Sequence, residues 1–254
     1  MTSAAPTTAT PPEPLCVLTY NVKHLTMDRA AVVRVLREVR PDVVALQEPP
    51  RGVFRGRLRR VAAAAGYRVA LRGRGARTTA FLVRADAVLG DLRTRTVRLP
   101  VRGPRSRRAR PILRGVAVLG IGGLTVVDVH LSLDTAERAR HVAALRRLVA
   151  SGPLGDGAGP GRVVLVGDLN EAPTDASWRA LRALLSDALD LLPRPAGPEP
   201  LTFPAHDPRL RLDGVLVGRD VAVHDVAAID TAEARRASDH LPVVVSVAVR
   251  PPHR

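Results

Sequence analysis

Several short apolar runs of this chain end, or begin, at an acidic, amide or imidazole side chain. The run at 163–166 leads into Gly-Asp-Leu-Asn at 167–170, and the run at 214–217 follows Asp213. Ser-Asp-His at 238–240 precedes a third run. Apolar runs of four to eight residues between turn residues are typical of buried strands. Because functional side chains of sheet proteins gather in the loops at strand ends, this pattern predicts a sheet-based enzyme.

The polar residues of these three segments are suited to metal and proton chemistry. Carboxylate and amide oxygens bind hard cations such as Mg²⁺ and Mn²⁺, and an adjacent Asp–His pair can carry protons. Hydrolysis of a phosphate ester needs both, because proton transfer alone supplies only about 10²–10⁴-fold of a much larger rate enhancement. The candidate residues are Asp168, Asn170, Asp213, Asp239 and His240.

The length of the chain allows one large domain or two small ones, and sheet-rich folds of this size are often single domains. The chain has 254 residues, of which 46% are hydrophobic and 2% aromatic, so Val, Leu and Ala must fill the core. Segment 1–14 is rich in Ala, Thr and Pro, so we expect a disordered tail there and a catalytic domain over 15–254.

A single cysteine excludes an internal disulfide, and neither a signal peptide nor a membrane span is evident. We expect a cytoplasmic location, a monomer and no stable membrane insertion.

Hydrophobic periodicity predicts more strands than helices. Some neighbouring strands are separated only by turn residues, such as those at 120–123, which indicates hairpins. This pattern favours an α+β layered fold over a doubly wound parallel sheet. Strands are predicted over 15–21, 43–46, 68–71, 80–83, 114–119, 124–130, 163–166, 212–217 and 243–249, and helices over 28–40, 53–65, 135–150 and 177–185.

The chain is strongly basic, with a formal net charge of +15 that comes almost entirely from arginine. Lys23 is the only lysine. Such an excess favours polyanionic partners such as nucleic acid or an anionic membrane surface. The arginines cluster at 51–60, 68–77 and 102–110. These clusters are consistent either with a solvated surface or with phosphate binding, and charge patterning alone does not separate the two.

Three further polar residues follow apolar strands: Asn21, Glu48 and His130. Singly, each is typical of a turn, a cap or a core histidine. Taken together with the first group, their order along the chain resembles that of the endonuclease/exonuclease/phosphatase superfamily. The resemblance is carried by Thr-Tyr-Asn at 19–21, Asp-Val-Val-Ala-Leu-Gln-Glu at 42–48, Val-His-Leu at 129–131, Gly-Asp-Leu-Asn at 167–170, Arg-Leu-Asp at 211–213 and Ser-Asp-His at 238–240.

The resemblance spans 15–249 and implies a four-layer α/β/β/α sandwich like that of deoxyribonuclease I. In that fold, two mixed β-sheets pack face to face and helices cover their outer sides. The resemblance also implies a metal-dependent hydrolase of phosphoric esters that uses Mg²⁺ or Mn²⁺. Glu48 would be the main ligand of the metal ion, with Asn21 and Asp239 close to it. His130 and Arg110 would bind phosphate oxygens.

The same resemblance assigns the proton-handling residues. Asp168 would orient or deprotonate the attacking water, and Asn170 would position it. His240, paired with Asp213, would act on the phosphate or carry a proton. The resemblance leaves open whether Asp168 or His240 activates the water.

Three functions fit these residues. The first is an Mg²⁺-dependent phosphodiesterase that acts on DNA or RNA, which the basic charge favours. The second is a hydrolase of small phosphoesters or phospholipid head groups, with the same site and a different rim. The third is a catalytically silent binding module, which the complete set of site residues argues against. Because Val-His-Leu-Ser stands at 129–132 where exonuclease III-type enzymes carry an Asn-x-Tyr-x-Pro pattern, repair of abasic sites is disfavoured.

Overall fold

The computed structural model describes residues 14–73, 75–101, 112–192 and 199–250. The predicted N-terminal tail lies outside these ranges except for Pro14, and so does Arg110, the predicted phosphate contact. In the described residues, twelve strands and five α-helices form two six-stranded sheets with helices outside them.

The first sheet has the strand order β11-β12-β1-β2-β4-β3. Strands β1 and β2 run parallel and the other neighbours are antiparallel, so the sheet is mixed. The parallel pair carries the carboxyl ends of β1 and β2 to the same edge. Its strands are β1 (Leu15–Asn21), β2 (Val43–Gln47), β3 (Tyr67–Leu71), β4 (Thr79–Arg84), β11 (Val221–Ala228) and β12 (Val243–Val249).

The second sheet has the strand order β5-β6-β7-β8-β10-β9 and is mixed in the same way. Here β7 and β8 are the parallel pair, and β10 runs antiparallel beside β8. The start of β10 therefore lies at the same edge as the ends of β7 and β8. Its strands are β5 (Arg93–Arg98), β6 (Gly115–Ile121), β7 (Leu124–His130), β8 (Val163–Asp168), β9 (Ser186–Asp187) and β10 (Asp213–Val217).

Three apolar clusters fill the three spaces between the four layers of the fold. The central cluster lies between the sheets and is built mainly from valines of both inner faces. One outer cluster packs α1 (Arg29–Val39), α2 (Gly56–Ala65) and α5 (Ala232–Ala237) on the first sheet, and the other packs α3 (Thr135–Ala150) and α4 (Ala176–Arg182) on the second. Strands buried on both faces explain the near-continuous apolar runs of the sequence. The predicted α/β/β/α sandwich is confirmed.

Several helix ends carry the side-chain caps that their sequences indicate. Asp28 accepts a hydrogen bond from the backbone N–H of Ala31 at the start of α1, and Asp134 does the same for Glu137 in α3. Arg40 adopts a left-handed conformation that ends α1. The helix predicted over 53–65 begins instead as a 3-10 turn, and its α-helical part is α2.

Three strands and one α-helix of the described chain were not predicted. Strand β5 alternates Arg and Thr and is largely exposed, so it carries no apolar pattern. Strand β11 contains an irregularity between Val223 and Asp225, which interrupts its alternation. Strand β9 and helix α5 have two and six residues and fall below the length at which periodicity is visible. Within the described part of the chain, no helix is long and apolar enough to cross a membrane.

Candidate active site

Strand register brings the predicted side chains to one edge of the sandwich. In the second sheet, Asp168 at the end of β8 pairs with His130 at the end of β7 on one side and with Asp213 at the start of β10 on the other. In the first sheet, Asn21 at the end of β1 lies beside Gln47 at the end of β2. Because the sheets face each other, the two sets of strand ends meet, and Asn21 Nδ2 donates a 3.1 Å hydrogen bond to Asp168 Oδ2 across them.

Asp168 is the centre of the site. Its side chain is buried, and its Oδ2 atom lies 3.5 Å from His130 Nε2 and 3.9 Å from His240 Nε2. Burial and the charge of Asp213 raise the pKa of Asp168 to about 6, against the lowering effect of His240 and of the hydrogen bond from Asn21. A carboxyl group with this pKa is ionised at neutral pH and still able to accept a proton.

His240 is held by Asp213. The Nδ1 atom of His240 donates a 2.8 Å hydrogen bond to Asp213 Oδ2, and the ring of Phe203 packs against the imidazole with centroids 4.9 Å apart. Burial lowers the pKa of His240, but the carboxylates of Asp213 and Asp168 outweigh it and raise the pKa to about 9. The imidazole is therefore protonated at neutral pH and presents a positive charge toward Asp168.

His130 has the opposite character. It is 3% exposed, and its Nε2 atom lies between Asp168 and Glu48 Oε1, the latter at 3.8 Å. Burial, reinforced by the positive charges of Arg114 and His240, holds the pKa of His130 well below its usual range. A neutral imidazole keeps a single N–H donor and adds no charge. The site thus contains one protonated and one neutral histidine on either side of one carboxylate.

Glu48 and Asp239 are the more exposed carboxylates of the site. Glu48 Oε2 lies 3.2 Å from His24 Nε2, and Asp239 Oδ2 lies 2.8 Å from the ammonium group of Lys23. Ser238 ties the Asp239 loop to the end of β1, because its hydroxyl donates to the carbonyl oxygen of Asn21 at 2.7 Å. This hydrogen bond holds Asp239 next to the end of β1, so the first sheet positions its carboxylate.

The turn after β1 is strained. Lys23, His24 and Leu25 have φ values of 42°, 56° and 55°, which non-glycine residues adopt at a cost of about 1–2 kcal/mol each. Glu48 has a φ of 53°. Backbone strain of this kind is concentrated at functional sites. The left-handed turn brings Lys23 into contact with Asp239 and His24 into contact with Glu48. The sequence did not predict these two contacts.

Asn170 orders the loop after β8. Its backbone N–H donates to Asp168 Oδ1 at 2.9 Å, and its side-chain Nδ2 donates to the carbonyl oxygen of Leu131 at 2.8 Å. With the amide nitrogen engaged, the side-chain oxygen of Asn170 is the atom left to accept a hydrogen from a water molecule. Gly167 precedes Asp168 with a φ of 136°, and a Cβ atom there would lie 2.0 Å from the carbonyl oxygen of Val129. Only glycine permits this close approach of β7 and β8.

Arg114 is a further member of the site that sequence reasoning missed. It is 5% exposed, and its Nη1 atom donates to the carbonyl oxygen of His130 at 3.2 Å. Its buried Nε atom has no hydrogen-bond partner among the described residues. Burial lowers the pKa of Arg114, and the carboxylates of Asp168 and Glu48 oppose this shift. The available signal was a lone arginine directly before the apolar run of β6.

Eight of the nine predicted site residues form one connected cluster: Asn21, Glu48, His130, Asp168, Asn170, Asp213, Asp239 and His240. The ninth, Arg110, lies outside the described residues. Together with Arg114, the cluster combines carboxylates, one protonated imidazole and a buried guanidinium group. This arrangement can bind an anion, accept a proton from water and stabilise negative charge.

The donor set of Asn21, Glu48 and Asp239 consists of oxygen atoms only. Within the described ranges, no group of three or more His, Cys, Asp or Glu side chains is placed to hold a metal ion. Two carboxylates with one amide oxygen still fit Mg²⁺, which is commonly bound by one or two carboxylates and keeps several waters. The same chemistry disfavours Zn²⁺, whose usual ligands are nitrogen and sulfur.

Comparisons with known proteins agree with this fold. The sequence model described as "Endonuclease/Exonuclease/phosphatase family" matches residues 18–240. No curated protein sequence matches the chain at a significant level. Among solved structures, the endonuclease/exonuclease/phosphatase from Bacteroides vulgatus is 16% identical with a TM-score of 0.72, over 93% of this chain and 99% of that one.

Two further solved structures share the fold. The mannosyl-6-phosphatase from Bacteroides thetaiotaomicron is 18% identical with a TM-score of 0.68, over 92% of this chain and 99% of that one. The human Nocturnin catalytic domain with bound sulfate anion is 18% identical with a TM-score of 0.66, over 93% of this chain and 94% of that one. At 16–18% identity, the similarity to these structures shows a shared fold only.

Proposed function

Because this chain belongs to the endonuclease/exonuclease/phosphatase family and is a hydrolase of phosphoric esters, we propose that it is an Mg²⁺-dependent phosphodiesterase that acts on nucleic acid. The observation that carries this proposal is the convergence of Asn21, His130 and His240 on the buried carboxylate of Asp168. The net charge of +15 supports a polyanionic substrate.

The residues divide the chemistry between proton transfer and charge stabilisation. Asp168 accepts the proton of the attacking water, since His240 is protonated through its pairing with Asp213 and has no free acceptor. Asn170 positions that water through its side-chain oxygen. His130 and Arg114 donate hydrogen bonds to phosphate oxygens, on which negative charge develops in the transition state. The role that the family resemblance implies for Arg110 stays a prediction, because Arg110 lies outside the described residues.

Glu48, with Asn21 and Asp239 beside it, would hold the metal ion. When bound, Mg²⁺ supplies Lewis-acid stabilisation of phosphoryl oxygens. Lys23 and His24 contact the same two carboxylates from the strained turn after β1.

A second candidate function is hydrolysis of a small phosphomonoester. It is favoured by the low aromatic content of 2%, because proteins that bind single-stranded nucleic acid use aromatic side chains to stack bases. It is also favoured by the similarity to a mannosyl-6-phosphatase. This second function uses the same catalytic residues but acts on a different, smaller substrate.

A substrate panel tests the proposal. Turnover of duplex DNA, single-stranded RNA, bis(p-nitrophenyl) phosphate and mannose 6-phosphate is measured with Mg²⁺ for the wild-type protein and for Asp168→Asn. We expect hydrolysis of the diesters by the wild-type protein to exceed hydrolysis of mannose 6-phosphate, and to be lost in the variant. Faster hydrolysis of mannose 6-phosphate than of DNA and RNA would overturn the nucleic-acid assignment in favour of the second candidate.

A further inference from the structure

A basic cavity of about 710 Å³ is lined in part by Pro49, the residue that follows Glu48. Its walls come from the loop after β2, the loop between β3 and β4, and the residues before β6. It is separate from the cluster around Asp168, and none of the roles assigned above uses its side chains. The lining residues that matter are Pro49, Pro50, Arg51, Arg55, Arg72, Arg77, Ile112 and Leu113.

The cavity is continuous with the active site through the backbone. Pro49, Pro50 and Arg51 follow Glu48 without interruption. The backbone N–H of Glu48 donates to the carbonyl oxygen of Thr78 at 2.9 Å, which fixes the loop that carries Arg77 against the end of β2. The cavity therefore adjoins the segment that carries Glu48.

The charge of the cavity is unbalanced. Of the residues that the structure describes, no carboxylate forms an ion pair with Arg51, Arg55, Arg72 or Arg77. Burial lowers the pKa of Arg51; the charge of Glu48 opposes this shift, and that of Arg77 adds to it. Burial and the neighbouring Arg59 and Arg55 likewise lower the pKa of Arg72. A bound anion would relieve this mutual repulsion.

The residue types identify the anion as a phosphate. The planar fork of arginine matches phosphate oxygens in bidentate geometry. The volume falls within the range of roughly 300–1,000 Å³ for sites that bind small organic ligands, so the cavity has room for more than an inorganic ion. Pro49, Pro50, Ile112 and Leu113 provide apolar walls for the organic part that carries the phosphate.

We propose that this cavity binds a second phosphate group of the substrate, borne by the unit adjacent to the scissile phosphate. This proposal rests on the proposed function and narrows its substrate class to molecules with at least two phosphates. Two sources share this chemistry: the backbone of an oligonucleotide, and a small bisphosphorylated compound. Arg51 lies three residues after Glu48, and Arg77 precedes Thr78, whose carbonyl oxygen accepts from the Glu48 backbone N–H. These two arginines are the binding residues of the proposal.

Equilibrium binding tests the proposal independently of turnover. Affinities are measured by calorimetry with Mg²⁺ on full-length Asp168→Asn protein for two ligand pairs. The first pair is thymidylyl-thymidine with and without a 5′-terminal phosphate, and the second is ribose 1,5-bisphosphate and ribose 5-phosphate. We expect the extra phosphate to tighten binding at least about tenfold in one pair, as charge-assisted hydrogen bonds to phosphate do.

Variants of the cavity arginines test whether the cavity causes the preference for the extra phosphate. Adding Arg51→Ala and Arg77→Ala should reduce the preference for the extra phosphate to less than about twofold, and Arg51→Lys with Arg77→Lys should restore part of it. The matched control removes two exposed arginines of α3, Arg140→Ala and Arg146→Ala, and should retain the full preference. Equal loss in the control would mean that net charge, not the cavity, binds the phosphate, and would overturn the proposal.

The outcomes separate this proposal from the proposed function. A preference for the extra phosphate in the dinucleotide pair supports both. A preference only in the ribose pair supports the cavity as a phosphate site and overturns the nucleic-acid assignment. No preference in either pair overturns the cavity proposal, while turnover of DNA or RNA by the wild-type protein would leave the proposed function standing.

Discussion

The Nε2 atom of Gln47 donates a 2.6 Å hydrogen bond to Oδ1 of Asp128, and this bond joins the two sheets in the buried interior. Gln47 ends β2 directly before Glu48, and Asp128 lies two residues before His130 on β7. The other carboxylate oxygen of Asp128 accepts a hydrogen bond from the backbone N–H of Ala80 at 3.3 Å. Asp128 therefore fixes the ends of strands from both sheets, and through them the spacing of Glu48 and His130.

The first prediction concerns stability. Asp128→Ala removes the hydrogen bonds that Gln47 and Ala80 donate to this carboxylate, so we expect it to lower the free energy of unfolding by about 1–3 kcal/mol. Urea denaturation followed by circular dichroism measures this change. Asp225→Ala, which truncates an exposed carboxylate on β11, is the matched control and should be nearly neutral. Equal stability of the two variants would show that Asp128 does not join the sheets.

The second prediction concerns pH. Burial raises the pKa of Asp128 well above its usual range, against the two hydrogen bonds that lower it. Between the unfolded value of about 3.9 and the folded value, the native state binds more protons than the unfolded state, so this residue contributes less stability as pH rises. The difference in unfolding free energy between wild type and Asp128→Ala should therefore shrink above about pH 4. Denaturation curves at several pH values measure it, and a difference that grows with pH would contradict the assigned shift.

The third prediction concerns the metal ion. Activity on any phosphoester should require Mg²⁺ or Mn²⁺, because Asn21, Glu48 and Asp239 offer only oxygen ligands. Glu48→Gln removes one carboxylate, so we expect it to raise the Mg²⁺ concentration needed for half-maximal rate and to slow turnover without unfolding the protein. Rates across an Mg²⁺ titration, with circular dichroism as the folding control, measure both effects. Full turnover in excess EDTA after metal removal would exclude this role of the metal.

The fourth prediction concerns proton transfer. Asp168→Asn and His240→Ala should each lower kcat by at least about 10²-fold, the lower end for loss of a positioned acid or base. Initial rates on a chromogenic diester measure this effect. His224→Ala and Asp225→Asn change exposed residues of the same types on β11 and serve as controls. Near-wild-type rates in either folded site variant would mean that the catalytic residues are misassigned.

Much of the fold and most of the described site could be predicted because their signals are local. An apolar strand that ends in a polar residue points to a candidate site residue directly, which is how Asn21, Glu48, His130 and Asp168 were identified as candidates. Their proximity, in contrast, depends on register between strands far apart in sequence. The order of the motifs supplied that information only through the family resemblance.

The remaining features depend on tertiary contacts that the sequence does not display. Arg114 is buried, and its Nη1 atom donates to the carbonyl oxygen of His130, whereas an isolated arginine in a sequence indicates a surface residue. The turn at Lys23 and His24 adopts left-handed φ values that neither residue favours, so no propensity predicts it. Strand β5 is held by pairing with β6 and lacks an apolar pattern of its own.

The last prediction concerns the partner and uses the arginine cluster at 102–110, which lies outside the described residues. If these arginines contact a nucleic-acid backbone, affinity should fall steeply as salt rises, because bound phosphates release condensed counterions. Each neutralised phosphate of a duplex contributes about −0.9 to the slope of log affinity against log salt. Replacing Arg105, Arg107 and Arg108 with Ala in Asp168→Asn protein should therefore flatten the slope by up to about three units.

Binding to duplex DNA and RNA across a salt series measures the slope, and alanine at Arg140, Arg146 and Arg147 of α3 is the charge-matched control. An unchanged slope in the first triple variant would exclude this cluster as a backbone contact, and a flat salt response with both polymers would favour a small phosphoester as the substrate.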